Sequence, residues 1–219
     1  MQAYKLFHFS SHNNGKVKEL DVTITEVIDP QYGLFTWPSA PVLAQFIFHN
    51  QHLVTKKNVL EIGCGTALAG VVAAKLGANV TLSDAKNCRN CLENCRKCCL
   101  KNDLIDVKII PITWGNVTED ILHLNNVDII VGSDCFYDKK DFEDILFTIS
   151  FLLERNPNAV FWTTYQLRNC NYSIEELLMK WNLSSRSIPL EDFHADGEYV
   201  GGVDMSSNHV IQMFEICRS

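Results

Sequence analysis

Val59-Leu60-Glu61-Ile62-Gly63-Cys64-Gly65-Thr66 is the stretch whose reading decides the fold. A short apolar strand, Asn58 to Ile62, runs into two glycines. A helical pattern follows from Thr66 to Leu76 and stops at Gly77, a favoured residue just past a helix end. Glycines let the backbone turn sharply and approach a ligand with no Cβ in the way. Asn79 to Leu82 reads as the next strand. Asp84 then lies twenty-one positions after Gly63. In a parallel sheet that order places a carboxylate beside the glycine loop, where it accepts hydrogen bonds from ribose hydroxyls. A nucleoside site at the mouth of a sheet is the expectation.

The residues around the glycines narrow the nucleoside. A dinucleotide fingerprint wants a third glycine three positions after Gly65, and Leu68 stands there. Glu61, just before the glycines, sits poorly beside a pyrophosphate but can orient a cationic amino-acid end, directly or through water. S-adenosylmethionine has that ammonium, a ribose and no phosphate. A cap or salt bridge within the fold is the other reading of Glu61.

Working outward, strand and helix alternate at least four times. Gln2 to Phe9 and Val17 to Ile24 read as strands around Asn13-Asn14-Gly15, which favours a β-hairpin turn. From Pro38 to His52, Val42, Leu43, Phe46 and Ile47 fall on one helical face. Val107 to Pro111 is a further strand. Val127 to Val131 is another, apolar enough to be buried on both faces. Phe142 to Leu153 is a helix and Ala159 to Thr164 a strand. Ser173 to Trp181 is a helix with a Ser173-x-x-Glu176 capping box. Leu183 to Ile188 and His209 to Ile216 serve as closing strands. The pattern specifies an α/β fold with a mostly parallel sheet covered on both faces. Asp196 to Asn208, with three glycines, is expected to be flexible.

Composition bounds the function. With 219 residues, 47% hydrophobic and 21% charged, the chain is expected to fold, without a second large domain. Its net charge of −7 lacks the basic stripe that holds nucleic acid, and suits a basic protein partner. No apolar run approaches the ~20 residues of a membrane span. Met1 to Ser11 does not read as a secretion leader. The compartment is therefore expected to be cytoplasmic, nuclear or both. Nine cysteines are expected to be reduced thiols. Five of them, Cys88, Cys91, Cys95, Cys98 and Cys99, fall on one helix from Asn87 to Asn102. Cys88 and Cys98 are then about 15 Å apart along its axis. Four bonds of about 2.3 Å to one zinc do not close over that span. Buried thiols, and no metal, are expected.

Glu61-x-Gly63-x-Gly65 followed by Asp84 resembles the cofactor motifs of the seven-strand S-adenosylmethionine-dependent methyltransferases. More narrowly, the chain resembles family 16 of the protein methyltransferases. Gly33 with Trp37-Pro38-Ser39-Ala40 and Val42-Leu43-Ala44, Thr113-Trp114-Gly115, and Asp134-Cys135-Phe136-Tyr137 are similar to that family's motifs. Further similarity lies in Phe142 to Leu146, Thr164 to Arg168, Trp181 and Ile188 to Glu191, so it runs from about Gly33 to the C-terminus. The resemblance implies a Rossmann-like seven-strand sheet, mostly parallel with an antiparallel closing strand. It divides the chain into an N-terminal hairpin extension, residues 1–32, and a methyltransferase domain, residues 33–219. The family often has a glycine where this chain has Ala67.

By that resemblance, Gly63, Cys64, Gly65 and Ala67 wrap the methionine portion of the cofactor, with Glu61 and Ser133 beside it. Asp84 holds the ribose, Trp114 flanks the adenine and Trp37 sits near the mouth. A buried core indole is the other reading of Trp114, and helix packing the other reading of Trp37. Asp134 and Tyr137 carry a substrate role just beyond a strand end, where open α/β sheets place ligands. Asp134 as a helix cap is the alternative. The implied reaction is attack of a nitrogen lone pair on the sulfonium methyl. Carboxylates gripping a guanidinium expose one nitrogen, with Asp134 as one gripper and Glu191, Asp192, Asp196 or Glu198 as a source of another. The group most similar within the family is associated with arginine methylation, so arginine of a basic protein such as a histone is the first expectation. Lysine is the second. A nucleic-acid amino-methyltransferase is disfavoured, since no proline follows Asp134 and Cys135. A cofactor-binding protein without turnover, partnered with a chaperone, is the rival from another class.

Overall fold

The computed structural model describes residues 2–13, 16–27, 32–124, 126–168, 174–206 and 210–219. The chain opens with β1 (Gln2–Asn13) and β2 (Lys16–Val27), paired antiparallel with Phe7 opposite Val22. Asn13 pairs with Lys16. The expected Asn-Gly turn between them lies outside the described residues. Both strands run a few residues beyond the expected limits.

Helix α1 (Ser39–His49) ends where Asn50 folds its amide back onto the Phe46 carbonyl, and α2 (Gln51–Val54) starts anew. One helix to His52 was the expectation; the Asn50 cap divides it. The alternating core follows as β3 (Asn58–Glu61), α3 (Leu68–Lys75), β4 (Asn79–Asp84), α4 (Arg89–Lys101), β5 (Lys108–Pro111), α5 (Glu119–Leu122), β6 (Ile129–Ser133), α6 (Phe142–Arg155), β7 (Val160–Gln166), α7 (Glu175–Lys180) and β8 (Leu183–Ile188). Ser173 of the expected capping box lies outside the described residues. The short strands β9 (Tyr199–Val200) and β10 (Val203–Asp204) precede the last strand, β11 (Ile211–Arg218). The segment expected to be flexible thus contains a small hairpin. Its Gly201 carbonyl accepts the His8 N–H of β1.

The main sheet has seven strands in the order β5-β4-β3-β6-β7-β11-β8. The first five are mutually parallel, and β11 runs antiparallel to both neighbours. Successive strand residues point to opposite faces. Val59, Ile129, Val131 and Trp162 meet α1, α3 and α4 on one face. Leu60, Ile62, Ile130 and Phe161 meet α5, α6 and α7 on the other. Phe7, Phe9, Val22 and Ile24 of the N-terminal hairpin join the first core, with the Phe9 ring 5.9 Å from that of Phe48. Helix α1 is therefore enclosed on both sides, which explains its nearly continuous apolar sequence.

The edge of β2 is closed by a helix in place of a third strand. Asn102 accepts the Thr23 N–H and donates to its carbonyl; Asn94 donates to the Thr25 carbonyl, and Cys98 Sγ accepts the Thr25 N–H. Residues 94 and 98 of α4 and Asn102, which caps its end, stand one turn apart, so one helix face satisfies the strand.

Chain order reverses between β3 and β6, which sit side by side. The crevice beyond the carboxyl ends of these two strands is the place where doubly wound sheets hold ligands.

Candidate active site

A cavity of about 530 Å³ opens at that crevice. Its size falls within the range of small-molecule sites. Gly63, Cys64, Gly65 and Thr66 form one wall, and Asp84, Cys88 and Cys91 a second. Trp114, Ser133, Asp134, Tyr137, Trp37 and Arg168 also line it. Another cavity, of about 540 Å³, opens at the opposite edge around the strand starts Asn58, Asn79 and Lys108, away from the glycine loop and the switch point.

The glycine loop is shaped by its neighbours. Gly63 and Gly65 have φ of 55° and 50°, which L side chains rarely adopt. A Cβ on Gly63 would stand 2.7 Å from the indole of Trp114. Trp114 thus packs on the loop and lines the cavity, and is only partly buried against the second core. Its own position is set by Gly115, whose N–H meets the Asp144 carbonyl and Thr148 Oγ1 of α6. Across the loop, the Gly33 carbonyl lies against Gly65, and Thr36 Oγ1 bonds Thr66 Oγ1 at 3.0 Å. Beneath it, Cys95 Sγ of α4 touches Cys64 Sγ at 3.3 Å.

Asp84 ends β4. One carboxylate oxygen accepts the Gly65 N–H at 2.9 Å, the other the Ala85 N–H at 2.8 Å. Burial pushes its pKa up, and the two N–H groups pull the other way. The carboxylate is thereby fixed beside the glycines, as the spacing predicts, with lone pairs left for hydroxyl donors.

Two of the expected cofactor residues are not brought to the cavity. Glu61 is 1% exposed, and its Oε2 accepts the Gly70 N–H at 2.9 Å beneath α3. It caps an orphan donor in the first turn of that helix. Burial raises its pKa to about 8. Strand alternation gives the reason: Leu60 and Ile62 face α6, so Glu61 faces α3. Ala67 is also fully buried. It stands ahead of α3 at φ 63°, which delays the helix from the expected Thr66 to Leu68. This backbone is the one glycine takes most easily, and alanine occupies it at a cost of about 1–2 kcal/mol.

At the other end, Asp134 leaves β6 with φ 55° and is nearly buried. Its carboxylate takes both nitrogens of Arg168 in a fork, at 2.7 and 2.5 Å. Arg168 Cζ stands 5.9 Å from the Trp37 ring centroid. The helix-cap reading of Asp134 does not hold, since Asp138 accepts the Lys140 N–H at that turn. Tyr137 lines the mouth, 59% exposed, with its hydroxyl pKa raised first by burial and then by Asp141. Glu191, Asp192, Asp196 and Glu198 are exposed and line no part of the cavity. Arg168 carried no expected role, whereas Cys88 and Cys91 were expected as buried thiols on one helix; Cys91 is buried, but Cys88 is half-buried and stands ahead of α4, and both line the cavity. The Arg168–Asp134 pair spans 34 positions and leaves no local pattern.

The residues fit S-adenosylmethionine. A glycine cradle, a fixed carboxylate for the ribose and an indole wall for the adenine converge on one cavity. Comparison with known proteins agrees. The family model described as lysine methyltransferase, family 16, matches residues 16–179. The histone-arginine methyltransferase METTL23 of Xenopus laevis is 46% identical over 212 residues, covering 97% of this chain and 91% of its own. That of Homo sapiens is 43% identical, covering 84% and 96%. The protein-lysine methyltransferase METTL21E of Mus musculus is 30% identical, covering 83% and 72%. Among solved structures, an S-adenosylmethionine-dependent methyltransferase from Agrobacterium tumefaciens superposes with a TM-score of 0.59 at 16% identity, covering 97% of this chain and 70% of its own. The fold, the cavity and the family match converge: this chain belongs to the family 16 protein methyltransferases, whose cofactor is S-adenosyl-L-methionine.

Proposed function

We propose that the chain methylates arginine side chains of a basic protein such as a histone. The observation that carries this is Arg168. A guanidinium already lies in the cavity, forked onto Asp134 and set against Trp37. That seat matches an arginine in shape and charge. An incoming arginine replaces Arg168 one for one, with two charged hydrogen bonds lost and two regained. A lysine ammonium is a point charge and recovers only part of the fork.

S-adenosylmethionine supplies a methyl group already activated on its sulfonium. The chain's own residues have to align the acceptor and exclude water. Asp134, held by the backbone turn at the end of β6, grips the guanidinium through its two terminal nitrogens, each of which keeps one N–H outside the fork. Tyr137, whose hydroxyl is neutral at its ordinary pKa of about 10 and is pushed further up by burial, is a hydrogen-bonding group at the rim. The names of the METTL23 relatives and the net charge of −7 support a basic protein substrate.

Lysine methylation is the second reading, favoured by the family description and the METTL21E relatives. The test uses isotope-labelled cofactor with histones and with cell extract, and locates the label by mass spectrometry. Label on arginine is the expected result. Label on lysine alone overturns the arginine reading. Cofactor binding with no label on any protein supports a non-catalytic role.

A further inference from the structure

The cysteine run of α4 divides in two. Cys95, Cys98 and Cys99 point into the first core. Cys88 and Cys91 instead line the cofactor cavity with Asp84. One ligand atom from each of these three residues lies within 4.8 Å of the other two. Bonds of about 2.3 Å in a tetrahedron put neighbouring donors roughly 3.8 Å apart, so rotations of about 1 Å close the set. The 15 Å span that excludes a zinc over the whole run concerns Cys88 and Cys98. Cys88 stands just ahead of α4 and Cys91 in its first turn, three residues on, with the Cys91 N–H bonded to the Cys88 carbonyl.

We propose that Asp84, Cys88 and Cys91 bind one thiophilic divalent cation, Zn²⁺ or Cd²⁺, inside the cofactor cavity and in competition with the nucleoside. Two sulfurs and one carboxylate suit these ions and not Mg²⁺ or Ca²⁺. The fourth position faces the cavity. Arg168 is the one Lys or Arg among the described lining residues, and Asp134 already pairs with it. Binding forms two metal–sulfur bonds and one metal–oxygen bond. Each thiol gives its proton to solvent, so two protons leave per ion and no electron moves. Oxidation of the pair to a disulfide is the competing chemistry. A divalent cation brings the charge that displaces those protons. Because Asp84 also faces the nucleoside, ion and cofactor exclude one another.

The test is a Cd²⁺ titration of the reduced chain, following sulfur-to-metal charge-transfer absorption, heat and proton release. Expected are one ion and two protons per chain. Cys88→Ser places a favoured helix-capping residue at the start of α4 and keeps the fold. It should weaken binding at least about 100-fold, more than loss of an outer-shell partner, and remove roughly half the absorption. Cys91→Ser should do the same. Saturating S-adenosylhomocysteine should lower the apparent Cd²⁺ affinity. Absorption unchanged in both serine variants places the ion on other thiols and overturns the site. No ion retained by the wild type overturns it too, and simultaneous binding of ion and nucleoside overturns the competition. S-adenosylhomocysteine binding to the metal-free chain, measured alongside, keeps failure of the metal site distinct from failure of the cofactor site.

Discussion

Glu61 shows how much one buried carboxyl can govern. Its pKa rises from 4.5 to about 8 through burial under α3. Between those values the folded state keeps a proton that the unfolded chain releases. Its contribution to stability is therefore full below about pH 4.5 and is lost as pH rises towards 8. Glu61→Gln retains an acceptor for the Gly70 N–H and removes the titration. Urea unfolding at pH 5 and pH 8 should show the glutamine variant gaining on the wild type by on the order of 1 kcal/mol per pH unit across that window. A pH-independent difference would place the ionisation elsewhere. Asp134 belongs to the same scale. Asp134→Asn keeps the size of the side chain but loses the charged fork to a guanidinium. Methyl transfer should fall about 100-fold or more in kcat/KM, the cost of losing a preorganised charge contact. Steady-state assays on a histone substrate check it, and near-normal turnover would remove Asp134 from the acceptor seat.

Elements carry the site through glycines and amides. The Gly115 turn, at φ 77°, holds Trp114 against the cofactor loop, and a Cβ there would stand 2.6 Å from Asp144 Oδ1. Gly115→Ala should cost about 1–3 kcal/mol from strain and crowding and weaken S-adenosylhomocysteine binding. Denaturant melts and calorimetry read the two effects, and unchanged values in both would contradict this clamp. The strands were legible where their runs are apolar and bounded by glycine or asparagine, as in β3 and β6. Asp84 and the two loop glycines were legible because chain order alone sets them side by side. The direction of Glu61 was also present in the sequence: Leu60 and Ile62 alternate with it, so it belongs under the following helix. Asn94 and Asn102 were not legible as ties to β2, nor Arg168 as the partner of Asp134. Each depends on which distant backbone or carboxylate the fold brings into reach.

At the scale of the whole molecule, the N-terminal hairpin is part of the first core. Phe7, Phe9, Val22 and Ile24 are fully buried. At about 1.5–3 kcal/mol each, their burial amounts to roughly 6–12 kcal/mol, comparable with the whole stability of a domain, about 5–15 kcal/mol. A chain begun at residue 33 should lose cooperative melting, and a melt within a few degrees of the full chain would show the hairpin to be dispensable. The cavity at the switch point then has two ends, one for the nucleoside at Asp84 and Trp114, and one for the acceptor at Asp134 and Tyr137. Calorimetric titration of S-adenosylhomocysteine into the Asp84→Ala and Asp134→Asn variants tests that division most directly. Loss of charged hydrogen bonds predicts at least about a tenfold weakening for Asp84→Ala and an affinity close to wild type for Asp134→Asn; the reverse order, or a wild type that does not bind the nucleoside, would contradict it.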